Sequence, residues 1–176
     1  KIFNAVRRSG AITIEAWIKP ANTQQDGPAR VVTLSRDSTN RNFTLGQKKD
    51  RFEVRLRTSG TSLNGIPGLA GPAKTAKLAL THVVYTRERS GRARVFINGK
   101  RTAEQTVPGS ISNWTNTFRL ALANELSGDR SWLGTYFMVA IYSRALSAAE
   151  VAKNFTAGAR AEAEASTLAV SPNADL

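Results

Sequence analysis

Arg51-Phe-Glu-Val-Arg-Leu-Arg57 puts Phe52, Val54 and Leu56 on one side of an extended chain and Arg51, Glu53, Arg55 and Arg57 on the other. A period of two is the mark of a strand with one dry face and one wet face. Residues 12–18, Ile-Thr-Ile-Glu-Ala-Trp-Ile, repeat it: Ile12, Ile14, Ala16 and Ile18 face one way, Thr13, Glu15 and Trp17 the other, and Pro20 closes the run. Further strands are predicted at 31–35, 42–47, 80–86, 93–98, 101–107, 118–123 and 136–143. Short strands at such regular intervals, with turn residues between them, indicate a sandwich or barrel.

The turns agree. Asn98-Gly99 lies between two apolar runs, and both residues tolerate the positive φ that a two-residue type I′ hairpin requires. Ser90-Gly91 makes the preceding hairpin, so 80–107 is predicted to be a three-strand meander. One helix is expected near the end: Ser147 and Glu150 have capping-box spacing, Val151 and Phe155 share a face, and Gly158 is placed to stop it. From Ala159 the pattern dissolves into Ala, Glu, Ser, Pro and Asn, so the domain is expected to span 1–158 and residues 159–176 to be a linker or tail. The longest irregular stretch, 58–77, holds four Gly and two Pro.

The 176 residues, 41% hydrophobic and 22% charged, suffice for one core and exclude both a disulfide miniprotein and a disordered tail. No run approaches the roughly 20 apolar residues of a membrane helix, so membrane insertion is not expected. The chain opens at Lys1 without a signal-like segment and reads as a soluble domain excised from something larger. Lys and Arg number 25 against 13 acids, a formal charge of +12, which suits a polyanionic partner but says nothing of fold. The basic residues are interspersed with acids, and no nucleic-acid motif is present, so nucleic acid is not an expected partner. With no Cys and a single His82, thiolate sites and His clusters are excluded.

Three blocks, Ile12 to Pro20, His82-Val-Val-Tyr with the Val95 to Lys100 hairpin, and Gly134 followed by residues 140–151, resemble in order and spacing the laminin-G-like, concanavalin A-like family. The likeness covers about residues 11 to 158 and is strongest to bacterial modules fused to exported proteins. It implies an all-β fold, a two-sheet antiparallel jelly-roll sandwich with one short C-terminal helix. It also implies a secreted or cell-surface location, a concave sheet that can present a sugar or protein site, and a rim that sometimes holds calcium. The fold carries lectins, adhesion modules, glycanases and lyases alike, so function must come from sites.

Glucanases of this shape carry a Glu-x-Asp-x-x-Glu strand whose alternate carboxylates share a groove, and that motif is missing. Alginate-type lyases have an Arg-x-Glu-x-Arg strand, which Arg51, Glu53 and Arg55 match, and a Tyr-Phe-Lys-Ala-Gly-x-Tyr strand, which Tyr136, Phe137, Ala140 and Tyr142 match with the register broken at Met138 and Val139. The lyases' Gln-x-His has only His82 here. No catalytic residues are therefore assigned. Sugar recognition uses aromatic faces beside charged groups, and the ligand-binding candidates are Arg55, Arg57, Trp114, Arg130 and Trp132. Arg87, Arg89, Arg92 and Arg94 flank one hairpin and form a second basic patch, for sulfated or uronate glycans, unless they merely protect an edge. No cofactor is implied. Calcium, which needs converging loop oxygens, has its candidate ligands in Asn124, Glu125 and Asp129, with Asp37 and Asn40 second. The expectation is a non-catalytic binding or adhesion module for extracellular carbohydrate, acidic carbohydrate included, joined to other domains of a larger protein. The alternatives are a structural or protein-interaction spacer and a uronate lyase.

Overall fold

The computed structural model describes residues 2–168, with side chains described as far as Gly158. In chain order the elements are α1 (Ile2–Ser9), β1 (Ile12–Pro20), β2 (Ala29–Ser35), β3 (Arg41–Lys48), β4 (Arg51–Leu56), β5 (Leu69–Ala70), β6 (Thr81–Arg87), β7 (Arg92–Ile97), β8 (Lys100–Thr106), a 3-10 turn (Ile111–Asn113), β9 (Arg119–Leu122), β10 (Gly134–Tyr142) and α2 (Ala148–Leu168). The strands form two five-stranded sheets, β10-β1-β6-β7-β8 (sheet A) and β5-β4-β3-β2-β9 (sheet B), and the paired strands are antiparallel. The chain is an all-β sandwich, as its periodicity predicts.

Register explains where the core sits. Ile14 stands opposite Tyr85 and Ile141, and Tyr85 opposite Val95, so one apolar row crosses sheet A. In sheet B, Leu45 stands opposite Val32 and Val54, and Phe43 opposite Leu34 and Leu56. These rows meet in a single buried cluster, the usual outcome when each strand has one apolar face. The expected hairpin is present, with Asn98 at φ 50° and Gly99 at φ 75°. The irregular stretch 58–77 is tied down along β4: Gly71 N–H donates to Phe52 C=O, and Thr75 and Ala76 donate to Asp50 C=O.

Two helical features depart from expectation. Helix α1 was not anticipated, although Ile2 and Val6 share a face and Gly10 N–H closes the helix on Val6 C=O at 2.9 Å, with Gly10 at φ 70°. Helix α2 starts at the expected capping box, Ser147 N–H to Glu150 at 2.8 Å and Glu150 N–H to Ser147 Oγ at 3.2 Å, but runs past Gly158. Gly158 serves close approach instead of termination: a Cβ there would lie 2.3 Å from Trp17 Cζ2. The expected linker or tail therefore begins with backbone that continues α2 to Leu168, and its remainder, 169–176, lies outside the described residues. No helix among the described residues is long and apolar enough to cross a membrane.

Helix α2 seals the outer face of sheet A. Trp17, His82 and Phe155 pack as a mutual triangle, with ring centroids 4.6 Å (Trp17–His82), 5.6 Å (Trp17–Phe155) and 5.9 Å (His82–Phe155) apart. Beside them Glu15, fully buried, accepts from His82 Nε2 at 2.7 Å and from Asn154 Nδ2 at 3.0 Å. Burial works to raise the Glu15 carboxyl, but hydrogen bonds from His82, Tyr142 and Asn154 outweigh it and hold the group below its ordinary value of 4.5. A carboxyl so lowered stabilises the fold above its unfolded pKa, and that stability is lost as pH falls through the folded value. Glu15→Gln is expected to flatten the acid limb of the stability profile below about pH 4.5. At neutral pH it should cost about 1–3 kcal/mol, the scale for weakening hydrogen bonds to a buried charged group. Urea unfolding across pH 2.5–7 checks both; parallel acid limbs in the two proteins would remove Glu15 as their source.

Candidate functional site

Helix α2 covers sheet A over Glu15, Trp17 and His82, and the outer face of sheet B is of a different, polar kind. Its central row runs Thr33, Thr44, Arg55 across β2, β3 and β4, and the next holds Arg30, Gly46 and Glu53. Over this row lies a buried polar layer. Arg30 Nε donates to Glu125 Oε2 at 2.9 Å, both side chains being inaccessible to solvent, and Ser35 Oγ donates to Glu125 Oε1. Arg41 Nη1 donates to Thr44 Oγ1 at 2.9 Å, and Ser38 C=O accepts from both Arg41 and Arg30.

The charges in this layer do not balance. Glu125 makes its ion pair with Arg30, and Arg41, fully buried, has its Nε without a partner among the described residues. Burial, then the like charge of Arg30, lowers the Arg41 pKa, and Arg55 adds to the repulsion at both guanidiniums. At the rim, Arg55 Nε donates to Glu53 at 2.6 Å and Arg130 Nη1 to the Asp129 C=O at 2.7 Å. Their side chains are 13% and 34% exposed, so both are reachable from outside. Such an arrangement can receive an anion, because each added negative charge relieves repulsion already present.

The remaining sequence candidates fall elsewhere. Trp114 is 4% exposed, donates Nε1–H to Arg57 C=O at 2.8 Å and packs on Phe43; Trp132 is 3% exposed, donates to Gln47 Oε1 at 2.9 Å and stands edge-on to Tyr136. Both close the ends of the core, and neither offers the free aromatic face expected of it. Arg57 is likewise tucked in, donating to Thr115 Oγ1 at 2.9 Å and lying 5.5 Å over the Phe118 ring. Only Arg55 and Arg130 of the five stand at the rim.

The calcium candidates do not converge. Glu125 turns inward to Arg30 and Ser35, Asp129 accepts from Ser127 and Arg130, and Asn124 Oδ1 accepts the Glu125 and Arg130 N–H groups of its own loop. Asp37 is occupied by Arg36, Thr39 and Asn40, which hold its carboxyl far below its ordinary value against the raising effect of burial. No group of three or more His, Cys, Asp or Glu suited to a metal occurs among the described residues. These loops use their oxygens for backbone geometry.

The lyase constellation is also dispersed. Arg51, Glu53 and Arg55 lie on sheet B, His82 lies under α2 on the far side of sheet A, and Tyr136 Oη is held inside by Val31 C=O and Ala123 N–H. No single groove gathers them.

The sequence reading missed Arg30 and Arg41. Each immediately precedes the strand predicted after it, 31–35 and 42–47, and an arginine leading an otherwise apolar run was the available signal.

The fold is that of a two-sheet antiparallel jelly-roll module. The profile described as the concanavalin A-like lectin/glucanases superfamily matches residues 2–152, and the chain belongs to that superfamily. No curated protein matches it. Among solved structures, the carbohydrate-binding module CBM40 of the Ruminococcus gnavus IT-sialidase, bound to α2,3-sialyllactose, aligns with a TM-score of 0.65 at 16% identity over 82% of each chain. Domain 4 of AbnA, an extracellular GH43 arabinanase from Geobacillus stearothermophilus in complex with arabinotriose, gives 0.58 at 19% identity over 82% of this chain and 66% of that one. The botulinum neurotoxin type G receptor binding domain gives 0.61 at 12% identity over 85% of this chain, which spans 38% of that domain.

Replacing Glu125 by Gln keeps the shape of the layer and strips its carboxylate charge. The substitution should destabilise the fold by about 3–5 kcal/mol, since two buried guanidiniums then face each other uncompensated. Urea unfolding at pH 7 measures it, and a loss under about 1 kcal/mol, the scale of an exposed pair, would contradict the charge argument.

Proposed function

We propose that this domain is a non-catalytic carbohydrate-binding module of a secreted or surface protein, taking the acidic group of an extracellular glycan at Arg55 and Arg130 on the outer face of sheet B. The observation that carries the reading is the charge arrangement there: Arg30 and Arg41 are buried with Glu125 as the buried carboxylate between them, and Arg55 and Arg130 stand at the rim, each paired with a neighbouring carboxylate, Glu53 and Asp129. Sialyllactose, the ligand of the Ruminococcus gnavus module, carries a carboxylate, which supports an acidic sugar by fold analogy. A rigid strand platform with guanidinium forks suits carboxylate recognition, since the forks meet the two oxygens together.

A second reading, a protein-interaction module, draws support from a different feature. The edge strands β9 and β10 expose Leu120, Leu122 and Phe137, and Leu133 just before β10 is exposed too, each about half open to solvent. Edges of this kind are prone to pair with another chain.

A glycan array followed by titration of the best hits separates the two. Acidic glycans are expected to bind and their neutral counterparts not, and Arg55→Ser/Arg130→Ser should weaken binding by about tenfold or more, in keeping with loss of charge-assisted hydrogen bonds. Affinity should fall as salt rises. No binding to any glycan, or binding untouched by the double substitution, would defeat the carbohydrate reading.

A further inference from the structure

At one end of the sandwich the last turn of α1 meets the end of β6. Arg7, Arg8, Arg87 and Arg89 there line a cleft of about 250 Å³ together with Ser110 and Ser112, and no acidic residue lines it. None of the four arginines makes an ion pair among the described residues. The basic hairpin thus divides by function. Arg92 and Arg94 are neutralised, Arg94 by Glu88 at 2.6 Å and Glu104 at 2.9 Å, whereas Arg87 and Arg89 join the two arginines of α1.

Simpler roles explain part of this. Cations in a last helical turn offset the helix dipole, and Arg7 also lies 5.3 Å over the Phe3 ring. Arg87 has no such account. It is 1% exposed; its Nη1 donates to Gly10 C=O at 3.1 Å and its Nη2 to Val107 C=O at 3.2 Å and to Gly109 C=O. Its Nε has no partner among the described residues. Carbonyls fix the fork in place without supplying a counter-charge, and burying a cation that way is costly unless an anion completes it. Burial lowers the Arg87 pKa, consistent with that cost. The Ser110 and Ser112 hydroxyls share one hydrogen bond at 2.6 Å, which leaves one O–H of the pair as a neutral donor.

We propose that this cleft is a second binding site, separate from the face of sheet B, for a tetrahedral oxyanion, a sulfate or phosphate ester group of a small or polymeric ligand. Arg7, Arg8 and Arg89 as donors, the fixed positive charge of Arg87 behind them and a serine hydroxyl suit three or more oxygens spread over a tetrahedron better than a single planar carboxylate. The volume equals that of about eight waters, which leaves room for part of the molecule that bears the ester.

The test uses glucose 6-sulfate, glucose 6-phosphate, inorganic sulfate and inorganic phosphate at constant ionic strength, read by amide shifts of the 109–112 segment. Both esters should give saturable shifts there. The exposed pair Arg7→Ser/Arg89→Ser should weaken binding about tenfold, while the charge-matched pair Arg51→Ser/Arg92→Ser should change it less than about twofold. If phosphate is the preferred group, its affinity should rise as pH passes about 6, where its second proton leaves; a sulfate preference gives a flat profile. Equal losses in the two variants would reduce the effect to net charge and overturn the site. So would silence of these amides to every probe. Binding of the inorganic anions with exclusion of both esters would overturn the assignment of an ester-bearing ligand.

Discussion

Two buried guanidiniums on sheet B, Arg30 and Arg41, lie near a single buried carboxylate, Glu125, which pairs with Arg30 alone, and much of the domain's chemistry follows from that imbalance. The loop of residues 124–130 is anchored by Glu125 reaching down to Arg30, and the loop after β2 by Ser38 C=O reaching over both arginines. Loop placement and electrostatics are therefore one problem here. A charge excess held on a strand platform cannot relax by moving away, so it projects toward the rim where Arg55 and Arg130 stand.

The two sheets have taken opposite roles. Sheet A turns an aromatic and charged row outward, Trp17, His82 and Glu15, and α2 covers it with Phe155 and Asn154, the glycines at 99 and 158 allowing close contact. That face is finished internally. Sheet B carries a polar layer whose hydrogen bonds are largely made but whose charge is not cancelled. The contrast is the ground on which sheet B is proposed as the recognition face, independently of the similar solved structures, which share the sandwich's shape at 12–19% identity.

The sandwich was legible because its signal is local. The alternation in residues 12–18 and 51–57 reports directly which side of a strand is dry, and Asn98-Gly99 reports the turn. Site residues were less legible because exposure is a tertiary property. Trp114 and Trp132 have polar neighbours in sequence yet close the core, and Glu125, in a loop rich in turn residues, is drawn inward by Arg30, which lies 95 positions away. Gly158 misled for a related reason: glycine marks a helix end by its backbone freedom and a close contact by its lack of a side chain, and the sequence does not separate the two. The unanticipated α1 is short, and what it contributes, Arg7 and Arg8, acquires meaning only beside Arg87 and Arg89.

The central claim is that the uncancelled charge of sheet B receives an acidic sugar. Side-chain Nε–Hε spectra of the arginines, followed during titration with sialyllactose and then with lactose, address it most directly. The account predicts that Arg55, Arg130 and the buried Arg41 shift with the acidic sugar and stay still with the neutral one. Equal responses to both sugars, or movement confined to arginines away from sheet B, would contradict it.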